Sequence, residues 1–125
     1  MQFISTPQSA KSKGHYSPAV IHNNLVFISG QLPINYEQGE TMPKGGIEEQ
    51  ARQALENIAY LLQQCGSCKQ QVLKTTVFIS DVSHWSAVNE IYAEFFGKHK
   101  PARTMVPTNT LHFGSLIEIE AVAYV

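Results

Sequence analysis

Blocks of like charge are absent from this sequence. Nine Lys and Arg stand against ten Asp and Glu, a net charge of −1 over 125 residues, and no basic stretch is long enough to neutralise a row of phosphates. Nucleic acid is therefore not an expected partner. Long hydrophobic runs are absent too. No window reaches the ~18 apolar residues of a membrane span. The opening Met1-Gln2-Phe3-Ile4-Ser5-Thr6-Pro7 lacks the basic start and apolar stretch of a secretion signal. The expectation is a cytoplasmic protein with no membrane contact. Cysteine is scarce: Cys65 and Cys68 are the only pair. They follow an apparent helix, whose C-terminal dipole disfavours a thiolate, and two thiols fall short of a structural zinc set. They read as loop residues at a helix end. His15, His22, His84, His99 and His112 show neither HxH nor HExxH spacing, so no metal site can be argued.

What is present fits one α+β domain spanning residues 1–125. A chain of this length buries roughly two-thirds of the surface its unfolded form exposes. With 43% hydrophobic and only 15% charged residues, apolar surface is left over for burial between subunits.

Two β-prone runs, Ala19-Val20-Ile21-His22 and Leu25-Val26-Phe27-Ile28-Ser29, flank Asn23-Asn24, residues that tolerate the positive φ of a tight hairpin. Residues 35–46, with Gly39, Pro43, Gly45 and Gly46, have loop composition and are placed to present groups at a site. Over residues 47–64, Ile47, Ala51, Ala54, Leu55, Ile58 and Leu61 recur at three- and four-residue steps, the period of an amphipathic helix. Residues 72–80 alternate with β-branched or aromatic types in both sets, which reads as a strand covered on both faces. Ser83 is the expected cap of a second helix running to about Phe96, with Trp85, Val88, Ile91, Tyr92 and Phe95 as its core stripe. Pro101 and Pro107 bracket a short segment, and residues 116–125 form a long final strand.

The predicted order is thus β-β-α-β-α-β-β. Two right-handed crossovers place both helices on one face of the sheet and leave the other face without a cover. In the last strand Ile117, Ile119, Ala121 and Ala123 belong under the helices, and Glu118 and Glu120 point the other way. If that open face packs against further copies, Glu118 lies at an interface. A partly buried carboxylate there has a raised pKa unless a cation compensates, and Arg103 is the candidate. Chemically, a guanidinium fork grips a carboxylate and a strand carboxylate can hold and deprotonate a water, a pairing suited to hydrolysis of a small acid. The residues alone do not choose between Glu118 and Glu120 as the base.

Several segments resemble, in order, those of the RidA family (also called YjgF/YER057c/UK114) of enamine/imine deaminases. They are Gly14-His15-Tyr16-Ser17-Pro18-Ala19-Val20, Ser29-Gly30-Gln31-Leu32-Pro33, the first helix from Gln50 to Asn57, Lys74-Thr75-Thr76-Val77-Phe78, Val88-Asn89-Glu90-Ile91-Tyr92, Pro101-Ala102-Arg103 and Ile117-Glu118-Ile119-Glu120-Ala121. The resemblance implies a chorismate-mutase-like α+β fold, a homotrimer with a central β-barrel, and active sites at the subunit interfaces. It implies hydrolysis of 2-aminoacrylate or 2-aminocrotonate, and of the corresponding 2-iminopropanoate and 2-iminobutanoate, to 2-oxo acids and ammonia without metal or organic cofactor. Carried over residue by residue, Arg103 clamps the substrate carboxylate and Glu118, in preference to Glu120, orients the attacking water. Tyr16 donates a hydroxyl hydrogen bond, Ser29 and Gly30 line the pocket, and Met105 contributes its backbone. Met105 stands where relatives often have Cys, so a thiol nucleophile is excluded there. His15, Pro18, Pro107 and His112-Phe113-Gly114 depart from the family pattern near the implied pocket. They leave open a pathway-specific imine, of aminomuconate or pyrimidine-catabolic type. A non-catalytic, small-molecule-binding regulatory trimer is the reading from another class, and the retained arginine argues against it. Some relatives are described as ribonucleases, but a basic, aromatic-lined surface is lacking.

Overall fold

The hairpin turn sets the first half of the molecule. In the computed structural model, which describes residues 1–125, Asn23 and Asn24 take φ of 50° and 64°. They join β2 (Ala19–His22) to β3 (Leu25–Gln31) in antiparallel register, with His22 opposite Leu25. Ahead of this hairpin a strand unanticipated from the sequence, β1 (Gln2–Ile4), pairs with β2. Three residues are too few to show a period, and the strand exists because β2 offers an edge.

Helix α1 (Ile47–Gln64) has the bounds the apolar period predicts, and α2 (Trp85–Phe96) follows β4 (Val72–Ile79). Ser83 does not cap α2. It lies in a 3-10 turn, Val82–His84, whose cap is Asp81: the Ser83 backbone N–H donates to Asp81 Oδ1 at 2.8 Å. The Asp81 carboxyl consequently ionises more readily than usual. Pro107 ends β5 (Ala102–Pro107) on a sheet edge, where its missing N–H costs no ladder bond, and β6 (Ile117–Tyr124) closes the order.

The sheet runs β1-β2-β3-β6-β4-β5, antiparallel throughout except for the parallel β4/β5 pair. Both helices cover one face, where Ala51, Ala54, Leu55 and Ile58 of α1 meet Val26, Ile119, Ala121 and Ala123 in a continuous buried core. The small Ala121 and Ala123 let the helix approach the central strand closely. In β4 Val72, Thr75, Val77 and Ile79 are buried, and Thr76 and Phe78 are half-exposed on the opposite face. The expected second cover of this strand is therefore not supplied within one chain. The uncovered face carries Phe3 at 67% and Phe27 at 45% exposure. Phe3 and Phe27 both sit opposite Val20, and Phe27 also opposite Val122. A contiguous apolar sheet face of this kind marks an interaction surface.

Two polar residues on the buried side of α1 fix strand ends. Gln50 Oε1 accepts from Leu116 N–H at 2.8 Å at the start of β6. Asn57 Nδ2 donates to the carbonyls of Leu32 and Ile34, each at 3.0 Å, just past β3. No helix is long and apolar enough to cross a membrane.

Candidate active site

Arg103 sits on the helix-covered side of the sheet. Its register partner in β4 is the buried Thr75, whose hydroxyl is 2.7 Å from the Tyr92 hydroxyl of α2. The guanidinium lies over the Tyr92 ring, 4.8 Å from its centroid, and 5.4 Å from that of Trp85. One guanidinium nitrogen donates to Asn89 Oδ1 at 3.0 Å. Trp85, Asn89 and Tyr92, at four- and three-residue steps on α2, thus form a cradle. Burial keeps the Tyr92 phenol protonated to higher pH than usual, although Thr75 and Arg103 oppose this. No carboxylate engages the arginine: the chain's one ion pair joins Arg52 to Glu49 on α1. Its remaining N–H groups and its charge are free for an anion.

Glu118 lies on the other face. Its register partner is Phe78, between the buried Val77 and Ile79. Within one chain, therefore, Arg103 is not the compensating cation that the sequence led us to expect. The Glu118 carboxyl is pushed above the usual carboxylate range, first by burial and second by repulsion from Glu120, while His112 pulls it partly back. Its position depends on a bulge. Ile28 pairs with Ala121 and Gln31 with Ile119, so Ser29 and Gly30 together oppose Glu120. The carboxylate lies against the bare Cα of Gly30, where a Cβ would overlap Oε1 and fall 3.0 Å from Cδ.

The bulge is tied to the segment before β2. Ser29 N–H donates to the Pro18 carbonyl at 2.9 Å and its hydroxyl to the Ser17 carbonyl at 2.7 Å. This places Tyr16, 62% exposed, beside Gly30 on the wall of a cleft of about 430 Å³. His112 and Phe113 close one side of that cleft. Their 3-10 turn forces Phe113 into the left-handed region (φ 57°, ψ 24°), and the Ser115 hydroxyl holds it by donating to the His112 carbonyl at 2.7 Å.

A family model described as Endoribonuclease L-PSP matches residues 6–125. A RutC family protein of Pyrococcus horikoshii is 44% identical over 123 residues, covering 98% of this chain and 97% of its own. The human 2-iminobutanoate/2-iminopropanoate deaminase is 40% identical over 120 residues, 96% of this chain and 87% of the relative. The crystal structure of RidA from the Antarctic bacterium Psychrobacter superimposes with a TM-score of 0.91 at 33% identity, each chain covered in full (100% and 100%). The chain belongs to the RidA family. The two helices on one side of a mixed six-stranded sheet are the RidA fold, as the sequence resemblance implied.

In this RidA-family chain Glu118 lies against Gly30, Ser29 is its neighbour in the bulge, and Tyr16 shares a cleft wall with Gly30, while Arg103 and Met105 are on the other face of the sheet. Met105 pairs with Val77 and packs on the core, so its side chain shares the face of Arg103. Asn89, and the part that Trp85 and Tyr92 play beneath Arg103, were not foreseen. Their spacing was visible on α2, but the cation they hold arrives from another strand. Tyr36, from the loop after β3, also reaches the cleft. Its phenol is held protonated by burial and by proximity to Tyr16 and Glu40.

Proposed function

We propose that this RidA-family chain hydrolyses 2-iminopropanoate and 2-iminobutanoate, with the enamines 2-aminoacrylate and 2-aminocrotonate that tautomerise to them, giving pyruvate or 2-oxobutanoate and ammonia. The observation that carries this reading is the separation of two unpaired, oppositely charged groups onto opposite faces of one sheet. A cyclic assembly brings the edge strand β5 of one copy against the open face of the next, so that Arg103 of one meets Glu118 of another. Three copies is the ring that the resemblance implies, with the apolar open faces buried inside it.

In the assembled site the Arg103 fork binds the substrate carboxylate, and Glu118 holds a water against the imine carbon. As the water oxygen adds to that carbon, its proton passes through Glu118 to the nitrogen. The C–N bond then breaks and ammonia leaves, and the carbonyl forms as the hydroxyl gives its remaining proton to Glu118. Tyr16 donates a hydrogen bond near the substrate, Ser29 and Gly30 shape the pocket, and Met105 contributes backbone. A protonated imine is already electrophilic, so positioning and charge stabilisation suffice without a covalent intermediate or a cofactor. The test is the decay of 2-aminocrotonate, made in situ by a threonine dehydratase and followed by absorbance. Acceleration is expected; a folded assembly that leaves the decay unchanged sinks the reading in favour of a non-catalytic binding role.

Asn89→Ala removes the one hydrogen bond that orients Arg103. A bond to a charged group contributes about 1.5–3 kcal/mol, so kcat/KM is expected to fall roughly 10- to 100-fold. The aromatic cradle should preserve the fold, checked by circular dichroism.

The acid limb of the pH–rate profile is expected to follow Glu118, which must be ionised to take a proton from water. Burial and Glu120 raise its pKa. Glu120→Gln removes the repulsion and should move the limb to lower pH; His112→Ala removes the opposing charge and should move it to higher pH. Abolition of activity by Glu120→Gln, rather than a shift, would make Glu120 the base.

A further inference from the structure

We propose that the cleft between the Gln8–Lys13 segment, α1 and the loop after β3 is a second small-molecule site, separate from the hydrolytic one, and that it takes planar aromatic acids. Such a site stands whether or not the chain is a deaminase. Neither Arg103 nor Glu118 is in its wall. It borders the candidate active site at Tyr16 and Gly30 and extends from there to Tyr60 and Leu61 of α1, the helix on the sheet face opposite Glu118. Its volume of about 430 Å³ falls within the roughly 300–1,000 Å³ of clefts that enclose small-molecule ligands.

The lining fixes the class of occupant. The rings of Tyr16, Tyr36, Tyr60 and Phe113 stand around the cleft with Leu32 and Ile34, a wall that favours a flat apolar body through offset or edge-on contact. Lys11 and Lys13 sit at the exposed rim. Neither is in an ion pair, since the chain's one ion pair joins Arg52 to Glu49. The one carboxylate in the wall is Glu40, so the rim carries surplus positive charge in a chain whose net charge is −1. That charge draws an anionic arm to the rim while the ring enters the wall. Gln8, also in the lining, carries the only buried side-chain polar atom without a partner, its Oε1. Turned into the cleft, that oxygen can accept from a ring N–H, which favours an indole over a benzene ring.

The wall is built before a ligand arrives. Thr6 and Ser9 hold the start of the Gln8–Lys13 segment reciprocally: Thr6 N–H donates to Ser9 Oγ at 2.8 Å and Ser9 N–H to Thr6 Oγ1 at 3.1 Å. The loop that carries Tyr36 is closed by backbone bonds between Asn35 and Thr41 at 2.7 and 3.2 Å, and Asn57 pins the carbonyls of Leu32 and Ile34. The Tyr16 ring rests against the bare Cα of Gly14, where a Cβ would overlap it. Binding therefore need not order the lining.

The test is calorimetric titration of indole-3-acetate into full-length Arg103→Ala protein, a background in which the hydrolytic clamp cannot hold the acid. Binding is expected with a Kd of ~1 mM or tighter, the scale for a ligand of this size. Adding Lys11→Ala and Lys13→Ala together should weaken it roughly three- to tenfold, and adding Tyr60→Ala instead should weaken it by roughly the same factor. All three positions are exposed, and alanine suits the helix at residue 60, so these variants keep the fold. Acetate, which lacks the ring, should give no heat of binding. Indole, which lacks the acid, should bind as weakly as indole-3-acetate binds the variant without the two lysines. No binding once Arg103 is removed overturns the second site and places the acid in the hydrolytic one. Binding that neither the lysine pair nor Tyr60→Ala weakens overturns it as well.

Discussion

Arg103→Ala is expected to lower kcat/KM for 2-aminocrotonate roughly 10²- to 10⁴-fold, the loss of two charge-assisted hydrogen bonds of about 1.5–3 kcal/mol each. Asn89 and the rings of Trp85 and Tyr92 already hold the guanidinium in place, so little ordering entropy is lost when a carboxylate binds. The stronger form of the experiment mixes two dead proteins. Arg103 and Glu118 occupy opposite faces of the sheet, so if the proposed assembly forms, one refolded from equal amounts of Arg103→Ala and Glu118→Gln chains should contain intact sites. Each needs an arginine from one variant and a glutamate from the other, so random assembly restores about a quarter of them. Activity near that fraction establishes composite sites. A mixture as inactive as its components shows that both groups act within one chain and overturns the assembly proposed above.

Gly30→Ala should be almost as damaging by a different route. The new methyl would occupy the space of the Glu118 carboxylate. That carboxylate is the end of a flexible side chain, so the strand need not yield and the carboxylate moves instead. Gly30 is not among the positive-φ glycines, so alanine there brings no backbone strain. The expected outcome is a melting temperature within a few degrees of wild type and a fall in kcat of about 10²-fold, the scale of a 1 Å misplacement. Full activity would mean that the position of Glu118 does not matter, and the assignment of the water-holding role would fail.

These two predictions differ in how far the sequence alone reaches them. The α1 bounds, the Asn23-Asn24 turn and the alternation of β6 were legible because each rests on a local period or a single residue's φ preference. Glu118 could be assigned to the open face for the same reason. The face of Arg103 could not. It lies in a short strand between two prolines, and its direction is set by pairing with Thr75, a register decided far along the chain. The bulge at Ser29 and Gly30 is likewise a property of two strands rather than one. The resemblance named candidate residues for the site but was silent on which of them one chain brings together.

Asp81 and Ser83 show a smaller version of the same limit. Both are good caps by type, but Asp81 caps an intervening 3-10 turn, and α2 begins at Trp85, one residue later than a Ser83 cap would place it. Asn89 is the reverse case: its position on α2 was plain, and its importance emerged only when the strand carrying Arg103 came to rest above it.

The last of the six strands in chain order, β6, lies at the middle of the sheet, between β3 and β4. Until it is made, the first three strands and the β4/β5 pair have no ladder joining them, and α1 has half its floor missing. The sheet is therefore complete only when the last strand joins its two parts. It must wait for a strand to insert into a gap, with contacts as distant in sequence as Gln50 to Leu116. Such a topology folds slowly and leaves two open strand edges exposed in the meantime. The strand that bears Glu118 is thus also the one that joins the two parts of the sheet, so without it neither the six-stranded sheet nor the site is complete.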